Sequence, residues 1–279
     1  MMISIMAFEF FRNALLAGLL ASITCGIIGT YVVVKKMVAL SGGVSHAAFG
    51  GIGLGYFAGI DPILGAIGFS LASALGMGMI SLRAKQHLDT LIGAIWAIGM
   101  AIGILFISLT PGYAPDLFSF LFGNILLVPV SDLLIMAVLA AMILLVVIAC
   151  YQVFLAVTFD EEYAMVLDIP VEVITLLLLS LVALTVVMLI RIVGIILVIA
   201  LLTLPAAISR EYCSRLKNMM VLSVITGILV TTGGIFLSYF LNVPSGATII
   251  LIAAGMYGLV LIERALRKRH HPAPGAGNT

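Results

Sequence analysis

The stretch LSGGVSHAAFGGIGLG, Leu40–Gly55, decides how the chain is read. It sets one histidine, His46, among glycines and small apolar residues, with oily sequence on both sides. On a helix, Gly42, His46, Gly50 and Gly53 share one face, a groove with a single imidazole projecting from it. Gly51, Gly55 and Gly59 form overlapping small-xxx-small pairs, which favour close helix approach. An ionisable group at the bilayer centre costs roughly 2.5–3.5 kcal/mol on insertion scales unless it faces protein or water. Lys36 lies ten residues before His46. At a helical rise of 1.5 Å per residue, the imidazole therefore sits about 15 Å from the membrane boundary, near the midplane. Two roles are open to it: a hydrogen bond to a neighbouring helix carbonyl, or a ligand on a path.

The rest of the chain generalises the membrane reading. Of 279 residues, 63% are hydrophobic and only 9% charged, against about 25% charged in a soluble domain. The net charge of +1 gives no electrostatic case for nucleic acid as a partner. The three cysteines, Cys25, Cys150 and Cys213, contain no CxxC and point to neither a disulfide framework nor a zinc knuckle. There is no G-x-x-x-x-G-K-[ST], HExxH or GxSxG, and no paired intramembrane carboxylates. ATP binding by a P-loop and enzyme chemistry have no evident home in this chain. No basic segment precedes the first apolar run and no small-residue cleavage site follows it, so no removable signal peptide is expected.

A helix crosses the hydrocarbon with about 20 apolar residues. Runs of that kind appear at Phe11–Val34, Val44–Ile60, Ile63–Leu82, Asp89–Leu109, Val130–Val157, Val173–Ile190, Val193–Ile208, Met219–Leu241 and Ala247–Ile262. The second and seventh are short, so eight or nine transmembrane helices are expected in an all-α polytopic membrane protein. With nine spans, Lys35 and Lys36, Arg83 and Lys85, Arg210, Arg215 and Lys217, and Arg264 to Arg269 all fall on one side. The positive-inside rule then puts the N-terminus outside and the C-terminus inside, in a prokaryotic cell membrane, with Arg191 as the exception. Residues 1–266 read as one transmembrane domain, and 267–279 as a basic, Pro/Gly-rich, disordered cytoplasmic tail. His270 and His271 lie on that tail and read as incidental.

Three further segments stand out. Phe159–Val173, FDEEYAMVLDIPVEV, puts five acids and a proline between two spans on the inner side. Asp160 can cap a short helix with Glu161 and Glu162 in its first turn, and Pro170 is expected to end it. Tyr163, Met165, Val166, Leu167 and Ile169 are too apolar for a free loop. A short amphipathic helix docked on another protein fits better than one on the negatively charged inner leaflet. In the outer loop, Tyr113, Phe118, Phe120 and Phe122 read as interfacial anchors, with Asp116 the alternative guide for a cation or delivery protein. Pro205, in LLTLPAAISRE, frees a backbone carbonyl and is a candidate hinge or helix end. Asp89, beside His87, reads as a helix cap rather than a ligand.

Several landmarks now stand in order: GTYVVVKKMVALSGGVSHAAFGG, LDTLIGAIWAIGMAIGI, the FLFGN turn, FDEEYAMVLDIPV, VGIILVIALLTLPAAISR and VPSGATIIL. Together they resemble the membrane permeases of zinc/manganese ATP-binding-cassette importers, over roughly Phe8 to Leu266. The resemblance implies a type II importer-like permease that pairs with a second copy of itself and with two copies of a cytoplasmic ATP-binding subunit. It also implies an extracytoplasmic metal-binding delivery protein. Segment 159–173 then corresponds to the coupling helix, with Asp160, Glu161, Glu162, Tyr163, Met165, Leu167 and Asp168 facing the ATPase. Asp168 stands where relatives usually have glycine, and Asp tolerates a left-handed backbone better than most residues.

His46 matches the family's metal-contacting histidine, and Gly42, Gly50 and Gly53 are expected to line the path. Family members commonly carry an aspartate at the position of Gly42. Carboxylate and water suit manganese, while imidazole suits zinc and its neighbours. The expected cargo is therefore zinc, transported as substrate rather than bound as a permanent cofactor. Manganese or iron import by the same architecture is the alternative. A proton-coupled secondary metal transporter using His46 is the rival from another class.

Overall fold

The structure is a computed structural model that describes residues 8–83, 88–111, 123 and 125–270. Its helices are α1 (Glu9–Val34), α2 (Val38–Ala58), α3 (Pro62–Arg83), α4 (Leu88–Leu109), α5 (Val130–Ala149), α6 (Tyr151–Phe159), α7 (Glu161–Val166), α8 (Val171–Val193), α9 (Ile195–Tyr212), α10 (Leu216–Leu241) and α11 (Ser245–His270). Among the described residues there is no strand. Among the described residues, eight helices are long and apolar enough to cross a membrane: α1, α3, α4, α5, α8, α9, α10 and α11. The remaining long helix is α2, the one that carries His46. At 21 residues it matches its neighbours in length, but glycine, serine and histidine dilute its apolar surface. Burial explains how it manages: α3 and α4 flank it, α8 and α9 touch it, and nearly all of its middle is buried. A helix screened by protein does not need an oily coat.

The apolar run Val130–Val157, expected as one span, is two helices. Cys150, at φ −98° and ψ 11°, ends α5 and opens α6. The run exceeds what one straight crossing needs, and α6 carries the excess towards α7. Neither glycine nor proline marks the break.

α1 is the most enclosed span, packed against α9 and α10 and lined by buried small residues. The Ser22 and Thr231 hydroxyls meet at 3.0 Å between α1 and α10, a buried polar contact across an otherwise apolar interface. At the other extreme, α4 and α5 turn Ile98, Ile104, Leu105, Val138, Leu145 and Ile148 outward. In water such a surface would drive aggregation; in lipid it is ordinary.

Contacts at one end of the bundle tie Lys35 to the acidic segment and link Arg210 and Arg264 to neighbouring helix ends. Lys35 Nζ donates to Glu161 Oε1 at 2.9 Å. Arg210 Nη1 donates to the Val33 carbonyl at 3.4 Å, and Arg264 Nε lies 3.5 Å from Glu211. The expected gathering of Lys35, Arg210 and Arg264 on one side is thus seen. Lys85, His87, His271 and the loop residues Tyr113, Asp116, Phe118, Phe120 and Phe122 lie outside the described residues. Asp89 falls in the first turn of α4, where a carboxylate favours the helix dipole. α11 continues to His270, past the expected boundary at 266.

Candidate functional site

His46 lies near the middle of α2, at the seam with α4. The seam is built from glycines on both helices. A Cβ added at Gly50 would lie 2.9 Å from the Gly99 carbonyl, and one added at Gly99 would lie 2.7 Å from the carbonyl of His46 itself. Gly53 meets the backbone of Gly103 in the same way. Gly99 and Gly103 form a small-xxx-small pair on α4 that mirrors the glycines of α2. The groove expected along Gly42, Gly50 and Gly53 is therefore not open: α4 fills it. All three are buried, and Gly50 and Gly53 let two backbones touch behind the imidazole. On the other face, Gly51 abuts the backbone of Gly65 and Gly55 that of Pro62, as the small-residue spacing indicates.

The remaining part of the groove is filled by Trp96 of α4. Its ring centroid lies 4.8 Å from that of His46, with an interplanar angle of 63°. The indole also covers Gly42. His46 is half-buried, and its Nδ1 is buried without a hydrogen-bond partner among the described residues. The neighbouring-carbonyl role does not hold for that nitrogen. A buried ring nitrogen without a partner is uncommon and calls for an explanation. No three His, Cys, Asp or Glu residues converge among the described residues. A metal ion at His46 would thus find one protein ligand from α2 of this chain.

The second functional element is α7. Asp160 caps it, its Oδ1 accepting from the Tyr163 N–H at 2.9 Å. Glu161 and Glu162 occupy its first turn, as the sequence indicates. Pro170 does not end it, however. The helix stops at Val166 because Asp168 adopts the left-handed conformation, at φ 56°, and Pro170 instead opens α8. Tyr163, Met165, Val166 and Leu167 are all more than half exposed, Val166 at 79%. A six-residue helix with its apolar side chains outward has a surface to give to a partner. A cavity of about 610 Å³ lies between this element and the start of α2, lined by Lys35, Leu40, Glu161, Glu172 and Thr175.

α9 runs through Pro205 without a break, and Pro205 is buried. The missing proline N–H still deprives the Leu201 carbonyl of its helical donor. Two residues of consequence were not singled out from the sequence. Trp96 is the only tryptophan in the chain, and it lies three residues before Gly99, a spacing that puts both on one face of α4. Lys35 gave only a charge count.

The ABC 3 transport family model matches residues 7–264. A probable metal transport system membrane protein of Chlamydia pneumoniae is 40% identical over 264 residues, covering 92% of this chain and 89% of that protein. A manganese transport system membrane protein of Halalkalibacterium halodurans is 32% identical over 255 residues, with coverages of 91% and 87%. Among solved structures, PsaBC from Streptococcus pneumoniae, in complex with Fab, superposes with a TM-score of 0.84. It is 32% identical, and the match covers 93% of this chain and 95% of that one.

Proposed function

The chain belongs to the ABC 3 transport family, and from that premise we propose that it is the membrane permease of an ATP-driven importer of a divalent transition metal. The observation that carries this reading is His46. It is an imidazole in the middle of a protein-wrapped helix, with one nitrogen buried and unbonded. Two copies pair so that two such imidazoles border one path, and water completes the metal shell. A site with few protein ligands binds weakly, which suits a path that must release its ion. A delivery protein outside supplies the ion. Two copies of a cytoplasmic ATP-binding subunit seat on α7 through Tyr163, Met165 and Leu167. Pro205 is the hinge by which α9 yields. The C-terminus and α7 lie on the cytoplasmic side, as the gathered basic residues support.

For the ion, zinc is the reading the ligand chemistry favours, because imidazole without carboxylate suits zinc better than manganese. A different observation favours manganese: several relatives are named as manganese transport proteins. Uptake into proteoliposomes separates these readings and tests the whole. The permease reconstituted with its ATP-binding subunit should accumulate zinc(II), dependent on ATP, and excess manganese(II) should compete poorly. Stronger uptake of manganese(II) would reassign the ion. Uptake by this chain alone, driven by a proton gradient, would overturn the importer reading in favour of secondary transport.

A further inference from the structure

We infer that Trp96 sets the number of protein ligands at His46 and so acts as a specificity-determining residue. This rests on the reading of His46 as the metal contact. Position 42 lies one helical turn before His46 on the same face of α2, so a side chain there would stand beside the imidazole. The space it would need is taken. A Cβ added at Gly42 would lie 2.8 Å from Trp96 Cζ2 and 3.2 Å from Nε1. The same indole stands edge-on to the imidazole. A side chain at position 42 is therefore accommodated only if Trp96 shifts, and with the indole where it stands His46 is the one metal-ligating side chain that α2 offers here.

The indole is not itself locked in the core, since it is 43% exposed. It can be removed without opening a fully buried cavity, and position 42 then gains room for a carboxylate. The two positions are thus coupled: a side chain at position 42 and the indole of Trp96 compete for the same space. Paired carboxylate and imidazole ligands would shift the site towards harder ions such as manganese(II).

The test uses the full chain in detergent or nanodiscs, in four forms: wild type, Gly42→Asp, Trp96→Ala and the double variant. Thermal stability, with no metal present, reads the steric coupling. Gly42→Asp should lower the melting temperature in the Trp96 background and lower it much less in the Trp96→Ala background. Manganese(II) binding, followed by electron paramagnetic resonance, reads the ligand count. The double variant should gain about tenfold or more in affinity over Trp96→Ala alone, and a further His46→Ala change should remove the gain. Should Gly42→Asp fail to fold, Gly42→Ala gives the same coupling from a bare Cβ. Equal destabilisation in both backgrounds would overturn the steric claim. Coupled stability without any gain in manganese(II) binding would overturn the ligand-count claim. Neither result depends on transport, so failure of the importer reading is seen separately, in the uptake assay.

Discussion

Lys35 Nζ and Glu161 Oε1 are 2.9 Å apart, and they join two parts of the chain that the sequence separates by 126 residues. The same amine donates to the Val157 carbonyl at 3.0 Å. The lysine side chain is only 8% exposed, while the glutamate is 48% exposed. Lys35 follows α1, and after the left-handed Lys36 the chain enters α2, the helix of His46. Glu161 opens α7. The pair thus links α7, the surface proposed to seat the ATP-binding subunit, with the start of the helix that carries the imidazole.

That link predicts an uncoupling phenotype. Lys35→Met should lower the metal transported per ATP hydrolysed in the assembled complex, while basal ATP hydrolysis persists. Stability should fall by no more than about 1 kcal/mol, because one partner is half in solvent. The ratio of metal uptake to phosphate release measures the effect. An unchanged ratio would show that the pair carries no motion.

The exposed apolar side of α7 predicts a separation of folding from assembly. Met165→Asp and Val166→Asp change side chains that lie mostly in solvent. They should leave the unfolding free energy of the isolated permease within about 0.5 kcal/mol of wild type and abolish co-purification of the ATP-binding subunit. Retained co-purification would place the ATPase contact elsewhere.

Backbone conformation at the end of α7 predicts opposite outcomes for two substitutions. Asp168→Gly relieves a left-handed residue and should be neutral or stabilising. Asp168→Val should cost about 1–2 kcal/mol, and Asp160→Ala about 1 kcal/mol from the lost cap. Chemical denaturation of the solubilised chain checks all three. A stabilising Asp168→Val would contradict the observed φ of 56°.

The α2–α4 seam predicts intolerance of bulk. Gly99→Val puts a branched side chain against the His46 carbonyl and the Ala47 backbone. Overpacking of this kind costs about 1–3 kcal/mol. Thermal unfolding monitored by Trp96 fluorescence reports it at the seam itself, since no other indole is present.

Local signals were legible in the sequence, and pairwise contacts were not. Apart from Val130–Val157, each apolar run found its helix because length and oiliness are properties of the segment itself. The cap at Asp160 was legible because capping belongs to a single residue, whereas the helix end was assigned to Pro170 and the left-handed turn at Asp168 was suggested only by the family resemblance. The break at Cys150 was not legible, since no residue there forbids a continuous helix. The glycines of α2 announced close approach but not its partner, and an open groove was expected where α4 and Trp96 stand. Nothing near Gly42 in the chain points to Trp96, which arrives from the second helix after it. The Lys35–Glu161 pair was hidden for the same reason, each residue having been read only as a charge on one side of the membrane.

The proposed function has metal pass His46 under the drive of ATP. Its most direct test is zinc(II) uptake by proteoliposomes holding the permease and its ATP-binding subunit, comparing wild type with His46→Ala. The variant should fold and retain its ATPase contact, because α7 is distant in sequence and built from other residues. Uptake should fall to the level measured without ATP. Zinc(II) and manganese(II) uptake both at wild-type rates in His46→Ala would contradict the claim and move the path away from α2.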